Sequence, residues 1–239
     1  MIFNQSEFDL RCEWGICGVT QLAPISDVVV IVDVLSFSTC VEIATSREAI
    51  IFPYRWQDDK AIAYARSVNA ILANRQRTTS AGYSLSPSSL DRIPAGTRLV
   101  LPSPNGATLS LQTGKTITLA GCLRNCQAIA EFAQSCGTKI AVIPSGEKWE
   151  NGSLRPCLED AIGAGAILSY LQGNPSPEAK AAMATFEIFR ADLASALSQS
   201  SSGKELISRG FSSDIELAAT LNVSDCIPIC RDRAYIQHI

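Results

Sequence analysis

Histidine is almost missing from this chain: of 239 residues only His238 is one, and it stands next to the C-terminus. Without a well-placed imidazole, neither Ser-His-Asp nor Cys-His nucleophilic catalysis has its base. Zinc loses a main ligand for the same reason. No CxxC occurs either, although Cys122 and Cys126, and likewise Cys226 and Cys230, stand four apart. Clusters of Lys and Arg are also absent. With a net charge of −3 and a pI near 5.3, that argues against a nucleic-acid partner, because phosphate contacts need grouped cations. No apolar run approaches the length of a transmembrane span. The first fourteen residues carry acids where a signal peptide is basic, so the expected location is the cytoplasm, with no membrane partner. The common phosphate-binding signatures are lacking as well. There is no GxxxxGK[ST], no GxGxxG opening a helix, no Cys-x5-Arg and no Asp-x-Asp after a hydrophobic strand.

What is there is an ordinary globular composition, 46% hydrophobic and 18% charged. Nine cysteines, an odd number, read as reduced and mostly buried thiols. The length allows a sizeable core, as one α/β domain over residues 1–239 or as two lobes meeting near 75–97.

Residues 27–45 organise the rest. Val28 to Val32 is an unbroken apolar run, as in a strand covered on both faces. Asp33 follows it, then the hydroxyls of Ser36, Ser38 and Thr39, then a helical pattern from Cys40. A carboxylate at a strand's C-terminal end beside hydroxyls and free N–H groups suits a metal ion next to a bound anion. It equally suits a helix cap by Asp33 or Ser36. The same strand-then-polar pattern recurs at residues 98–101 before Ser103-Pro104-Asn105-Gly106, at 117–120 before Arg124-Asn125, and at 139–143 before Ser145-Gly146. In open α/β sheets the ligand crevice lies beyond the carboxyl ends of the strands, so parallel neighbours would bring these ends to one anion site. Taken singly, each Asn or Gly reads as a turn residue.

The remaining segments are read as follows. Residues 8–11 and 15–19 make short strands, 48–53 a strand, 58–74 a helix, and 75–94 a long loop of the kind that serves as a lid or partner contact. Helices follow at 158–168 and 177–199, with a flexible turn at 200–203. A short helix covers 204–209, and Ser213 or Asp214 caps another over 215–221. Residues 226–229 form a last strand, placed at an edge by Pro228. Glu159 and Asp160 open the helix at 158. Either they sit there because acids favour the positive helix end, or they join Asp33 as oxygen ligands of a hard cation such as Mg²⁺.

The ordered set Val32-Asp33-Val34-Leu35-Ser36-Phe37-Ser38-Thr39, Ser103-Pro104-Asn105-Gly106-Ala107, Gly121-Cys122-Leu123-Arg124-Asn125, Glu159-Asp160 with Ala164-Gly165-Ala166-Ile167, and Asp214-Ile215 before Ile227-Pro228 resembles the 2-phosphosulfolactate phosphatase family. The resemblance runs from about Leu10 to Ile229. It implies a layered α/β/α fold on a mostly parallel or mixed sheet, and Mg²⁺-dependent hydrolysis of the phosphate ester of a small 2-hydroxy acid. On that footing Asp33, Glu159 and Asp160 are the expected metal ligands, and Asp33, Asn105 and Asn125 the catalytic residues. Ser36, Ser38, Thr39, Ser103, Asn105, Gly106, Asn125, Ser145 and Gly146 are expected to bind substrate. Water and Asp33 both remain open as nucleophile. The partner is then a small anionic phosphate ester, and a homodimer is the oligomer considered. Where the family's first motif carries an arginine, this chain has Ser36, so Arg124 or an arginine from 75–77 is the stand-in to look for. The alternative is a catalytically inactive homologue that binds an anionic metabolite or a protein partner.

Overall fold

The computed structural model describes residues 2–56, 58–78 and 82–238. Ala81, in the middle of the expected loop at 75–94, lies outside the described residues. In chain order the main elements are β1 (Leu10–Cys12), α1 (Gly15–Leu22), β2 (Val28–Val32), α2 (Phe37–Thr45), β3 (Ile50–Tyr54), α3 (Asp59–Ser67) and β4 (Ile71–Leu72). Next come α4 (Pro87–Leu90), β5 (Arg98–Pro102), α5 (Gly106–Ser110), β6 (Ile117–Gly121), α6 (Cys126–Cys136) and β7 (Ile140–Pro144). A small hairpin, β8 (Glu147–Lys148) and β9 (Leu154–Arg155), precedes α7 (Leu158–Tyr170) and α8 (Pro177–Phe189). The chain closes with α9 (Leu193–Gln199), α10 (Ser201–Ser208), α11 (Ser212–Ala218), β10 (Pro228–Arg231) and β11 (Ala234–Gln237).

Nine strands form one sheet in the order β1-β7-β2-β6-β10-β11-β3-β5-β4. It consists of two parallel blocks, β1-β7-β2-β6 and β3-β5-β4, joined by the antiparallel hairpin β10–β11. The fold is thus α/β, with a mostly parallel sheet flanked by helices. β2 shows why its sequence is apolar throughout: side chains alternate between faces. Val28, Val30 and Val32 enter a core with Ile129, Ile162 and Ile167 of α6 and α7. Val29 and Ile31 enter another with Val19 and Leu22 of α1 and Leu109 of α5. α2 is buried at all nine positions, and its Phe37, Cys40 and Val41 pack against Ile51, Leu99 and Leu101 of the second block.

The structure revises several sequence expectations. Residues 15–22 are helical, not a strand: Gly15 turns the chain at φ 60°, and Val19 and Leu22 share one buried face at helical spacing. The helix from 58 ends at Ser67, because Asn69 takes a left-handed φ of 49°, and Ile71–Leu72 then pairs with β5. The helix expected over 177–199 breaks at residues 190–192, where Asp192 caps α9 by accepting the Ser195 N–H. Ser200 caps α10 through the Gly203 N–H, so 200–203 opens a helix instead of making a turn. Pro228 lies in the sheet interior between β6 and β11, not at an edge; as the first residue of its strand it leaves no ladder donor missing.

Candidate active site

β5 is not a neighbour of β2, so a flat sheet would hold their ends apart. Three successive antiparallel pairings also separate their blocks. The loops after β2, β5 and β7 nevertheless meet at the start of α7. Asp33, only 6% exposed, is the meeting point. Its Oδ1 accepts the Phe37 N–H at 3.1 Å, and its Oδ2 accepts the Gly106 N–H at 2.9 Å with the Ser103 hydroxyl at 3.5 Å. Asp33 therefore does cap α2, and reaches the first residue of α5 as well. Gly106 has to be glycine for that approach. A Cβ there would lie 2.5 Å from a Phe37 ring carbon and 2.8 Å from the Asp33 carboxylate.

Asp160, in the first turn of α7, ties two loops together. Its Oδ1 accepts the Val34 N–H at 2.8 Å and its Oδ2 the Gly146 N–H at 2.9 Å. Gly146 sits at φ 65°, where a side chain is strained and would also strike the Arg155 carbonyl. Glu159 beside it is 3% exposed and makes no hydrogen bond among the described residues. Asp33, Glu159 and Asp160 line one cavity of about 130 Å³ together with Ser36, Ser103, Asn105 and Gly146. That is the size of a void known to admit benzene. Burial raises the Asp33 carboxyl to about 6, against the pull of the Phe37 and Gly106 N–H groups, and Glu147 and Glu159 add to the rise. Burial also holds the Asp160 carboxyl well above its usual range, and the charges of Asp33 and Glu159 push the same way. Several acids crowd one cavity, an arrangement that a cation relieves.

Other residues expected at the site stand behind its wall. The Ser38 hydroxyl accepts the Asp33 N–H and donates to the Ile31 carbonyl, and Thr39 donates to the Val34 carbonyl. Both brace the loop after β2; neither lines the cavity. Asn125 is wholly buried: its Oδ1 accepts the Cys122 N–H and its Nδ2 donates to the Cys226 carbonyl, which ties the end of β6 to the segment leading into β10. Ser145 lines an adjoining cavity together with Trp14, Ile16 and Leu154, and its hydroxyl is sealed away with no hydrogen-bond partner among the described residues. Arg124 is committed elsewhere, to Glu42 and Thr220. Asp214 is a fully buried anion inside α11, not its cap. It accepts from the Ser86 and Ser88 hydroxyls, the Ser88 N–H and Arg77.

Arg77 does reach the cavity, and its Nη1 donates to Ser36 at 3.1 Å and to Asp214 at 2.8 Å. Four further polar cavity residues were not among the expected site residues: Glu147, and Ser202, Glu205 and Arg209, which belong to segments read as a turn and a short helix.

Among the described residues no three His, Cys, Asp or Glu side chains are arranged to hold a metal ion by themselves. Magnesium does not require that. It usually binds one or two carboxylates and completes its shell with waters and substrate phosphate. The all-oxygen set here fits it, since Asp33 Oδ1 and both oxygens of Asp160 each spend one lone pair on a hydrogen bond and keep another. No helix among the described residues is long and apolar enough to cross a membrane.

The chain is similar to known proteins over most of its length. A 2-phosphosulfolactate phosphatase of Methanothermobacter thermautotrophicus is 28% identical over 207 residues, covering 87% of this chain and 88% of that protein. A probable 2-phosphosulfolactate phosphatase of Cyanothece sp. is 30% identical over 226 residues, covering 86% and 89%. A third, from Synechocystis sp., is 33% identical over 162 residues, covering 62% and 64%. The profile described as 2-phosphosulpholactate phosphatase matches residues 18–233, a span that takes in every loop around the Asp33 cavity, and the chain therefore belongs to that family.

Proposed function

We propose that this protein is a phosphatase that uses Mg²⁺ to hydrolyse the phosphate ester of a small 2-hydroxy acid of the 2-phosphosulfolactate type. The observation that carries the reading is the convergence of Asp33, Glu159 and Asp160 on one small cavity between the loops after β2, β5 and β7. The names of the full-length relatives support the same reaction class. Asp33 and Asp160, with Glu159 beside them, would hold the ion, waters and substrate phosphate completing its shell. When bound, Mg²⁺ supplies charge neutralisation at the phosphoryl oxygens and a more acidic water.

The chain's own groups do the rest. Asp33 is fixed at two points by main-chain donors, so its carboxylate meets the reacting centre without reorganising. Asp160 holds the Val34 and Gly146 backbones in place, and with them two walls of the cavity. Asn105, Ser36 and Ser103 present polar side chains to the substrate from the α2 and α5 sides. Ser38, Thr39 and Asn125, placed behind the wall, act by positioning those loops.

The test is phosphate release from a panel of small 2-phospho acids, with Mg²⁺ and with EDTA, comparing wild type with Asp33→Asn. Release that needs Mg²⁺ and falls by about three orders of magnitude in the variant supports the proposal, on the scale of losing one preorganised charged group. Equal inertness of both proteins on every ester would overturn it and return the chain to the class of anion-binding homologues.

A further inference from the structure

The cavity lining carries both signs of charge: the acids of the β2, β7 and α7 loops, and Arg77. The second arginine of the cavity, Arg209, is half exposed and already paired with Glu205 at 2.9 Å. Arg77 is different, with a side chain only 10% exposed. Among the described residues only Nη1 of its three nitrogens has partners, Ser36 and Asp214. Nε and Nη2 donate to no described group, neither is sealed away as a buried unpaired atom, and the Arg77 side chain lines the cavity. Asp214 does not need Arg77 to complete its hydrogen bonds, since Ser86 and Ser88 already supply them. The same contacts fix the guanidinium in direction, and the Phe211 ring lies 5.7 Å below it. A buried, preoriented fork with two unused donors matches an oxyanion with two oxygens side by side.

We propose that Arg77, aimed by Asp214 and Ser36, is the residue that selects substrates carrying a second acidic group, a carboxylate or sulfonate, beside the phosphate. This rests on the phosphatase reading and adds to it the residue that reads the acid. The phosphate joins the cation at the carboxylates, and the acid pairs with Arg77. Ser36 touches the guanidinium. An ester that lacks the acid leaves the Arg77 fork unpaired, and discrimination follows from that loss.

Phosphoglycolate and ethyl phosphate form a matched pair, differing in a carboxylate against a methyl group; 2-phosphosulfolactate adds the sulfonate. With wild type, Arg77→Lys and Arg77→Met, all checked for native near-ultraviolet circular dichroism, kcat/KM is measured on the three esters. Arg77→Met is expected to lose about a hundredfold on the two acid-bearing esters, mostly in KM, and less than threefold on ethyl phosphate. Arg77→Lys, which keeps the charge but not the fork, falls between. A loss of the same factor on all three esters would overturn the selection role and leave Arg77 a structural partner of Asp214. Should wild type hydrolyse none of them, the phosphatase reading fails by itself, and calorimetry with sulfolactate still decides for Arg77. Binding by wild type that Arg77→Met abolishes supports the acid subsite; equal binding, or none to wild type, sinks it.

Discussion

At the scale of single residues the site depends on close approaches of main chain to carboxylate. Gly106→Ala places a methyl group against the Phe37 ring and the Asp33 carboxylate, so the α5 start has to back away. Overpacking of this kind costs about 1–3 kcal/mol. The expected result is a lower urea midpoint with unchanged slope, together with phosphate release reduced at least tenfold. Asp160→Ala leaves the Val34 and Gly146 N–H groups without acceptors in a buried place, at about 1–3 kcal/mol for each. Its stability should drop more than that of Asp160→Asn, which keeps one acceptor oxygen. The raised Asp33 carboxyl also has a pH signature. Between its ordinary 3.8 and its folded value of about 6, the folded protein holds a proton that the unfolded chain has released. Stability therefore falls as pH rises through that window and is level above it. Measured without Mg²⁺, the melting temperature of Asp33→Asn should gain on that of wild type from pH 4 to pH 6.5 and then run parallel to it.

At the scale of elements, one wall of the cavity is α10, which contributes Ser202, Glu205 and Leu206, with Arg209 directly after it. That helix starts where it does because Ser200 accepts the Gly203 N–H. Ser200→Ala should cost about 1 kcal/mol, the usual worth of such a cap. It should also raise KM more than it lowers kcat, because a frayed α10 loosens the wall without touching Asp33. The misread helices share one physical cause. Apolar spacing continues smoothly through 177–199 and 58–74, but Asp192 offers a side-chain cap and Asn69 tolerates a left-handed turn, so the chain breaks at both places. Local hydrogen-bonding chemistry overrode periodicity there.

For the molecule as a whole, the junction between the two parallel blocks is the device that assembles the site. Tyr235 of β11 is fully buried, meets Phe37 edge-on at 6.2 Å and donates to Ser110 at 2.7 Å. Tyr235→Phe should cost about 1 kcal/mol of global stability. If the proposed Mg²⁺ site is real, adding the ion should raise the melting temperature more at pH 7.5 than at pH 5, where the raised carboxyls still hold protons that compete with it. An equal shift at both pH values would count against a carboxylate site. The strands β2, β5, β6 and β7, the Asp33 carboxylate at the end of β2 and the α/β class could be read from the chain alone, because apolar runs ending in small polar residues are local properties. What belonged to the tertiary structure was the choice among those polar residues. Asp33 and Asp160 face the cavity while Ser38, Thr39 and Asn125 stand behind it, and no spacing in the sequence separates the two groups. Arg77 and Asp214 lie 137 positions apart and meet only because α11 packs back against the loop at 75–78. Contacts of that separation leave no local pattern; the packing of the whole chain decides them.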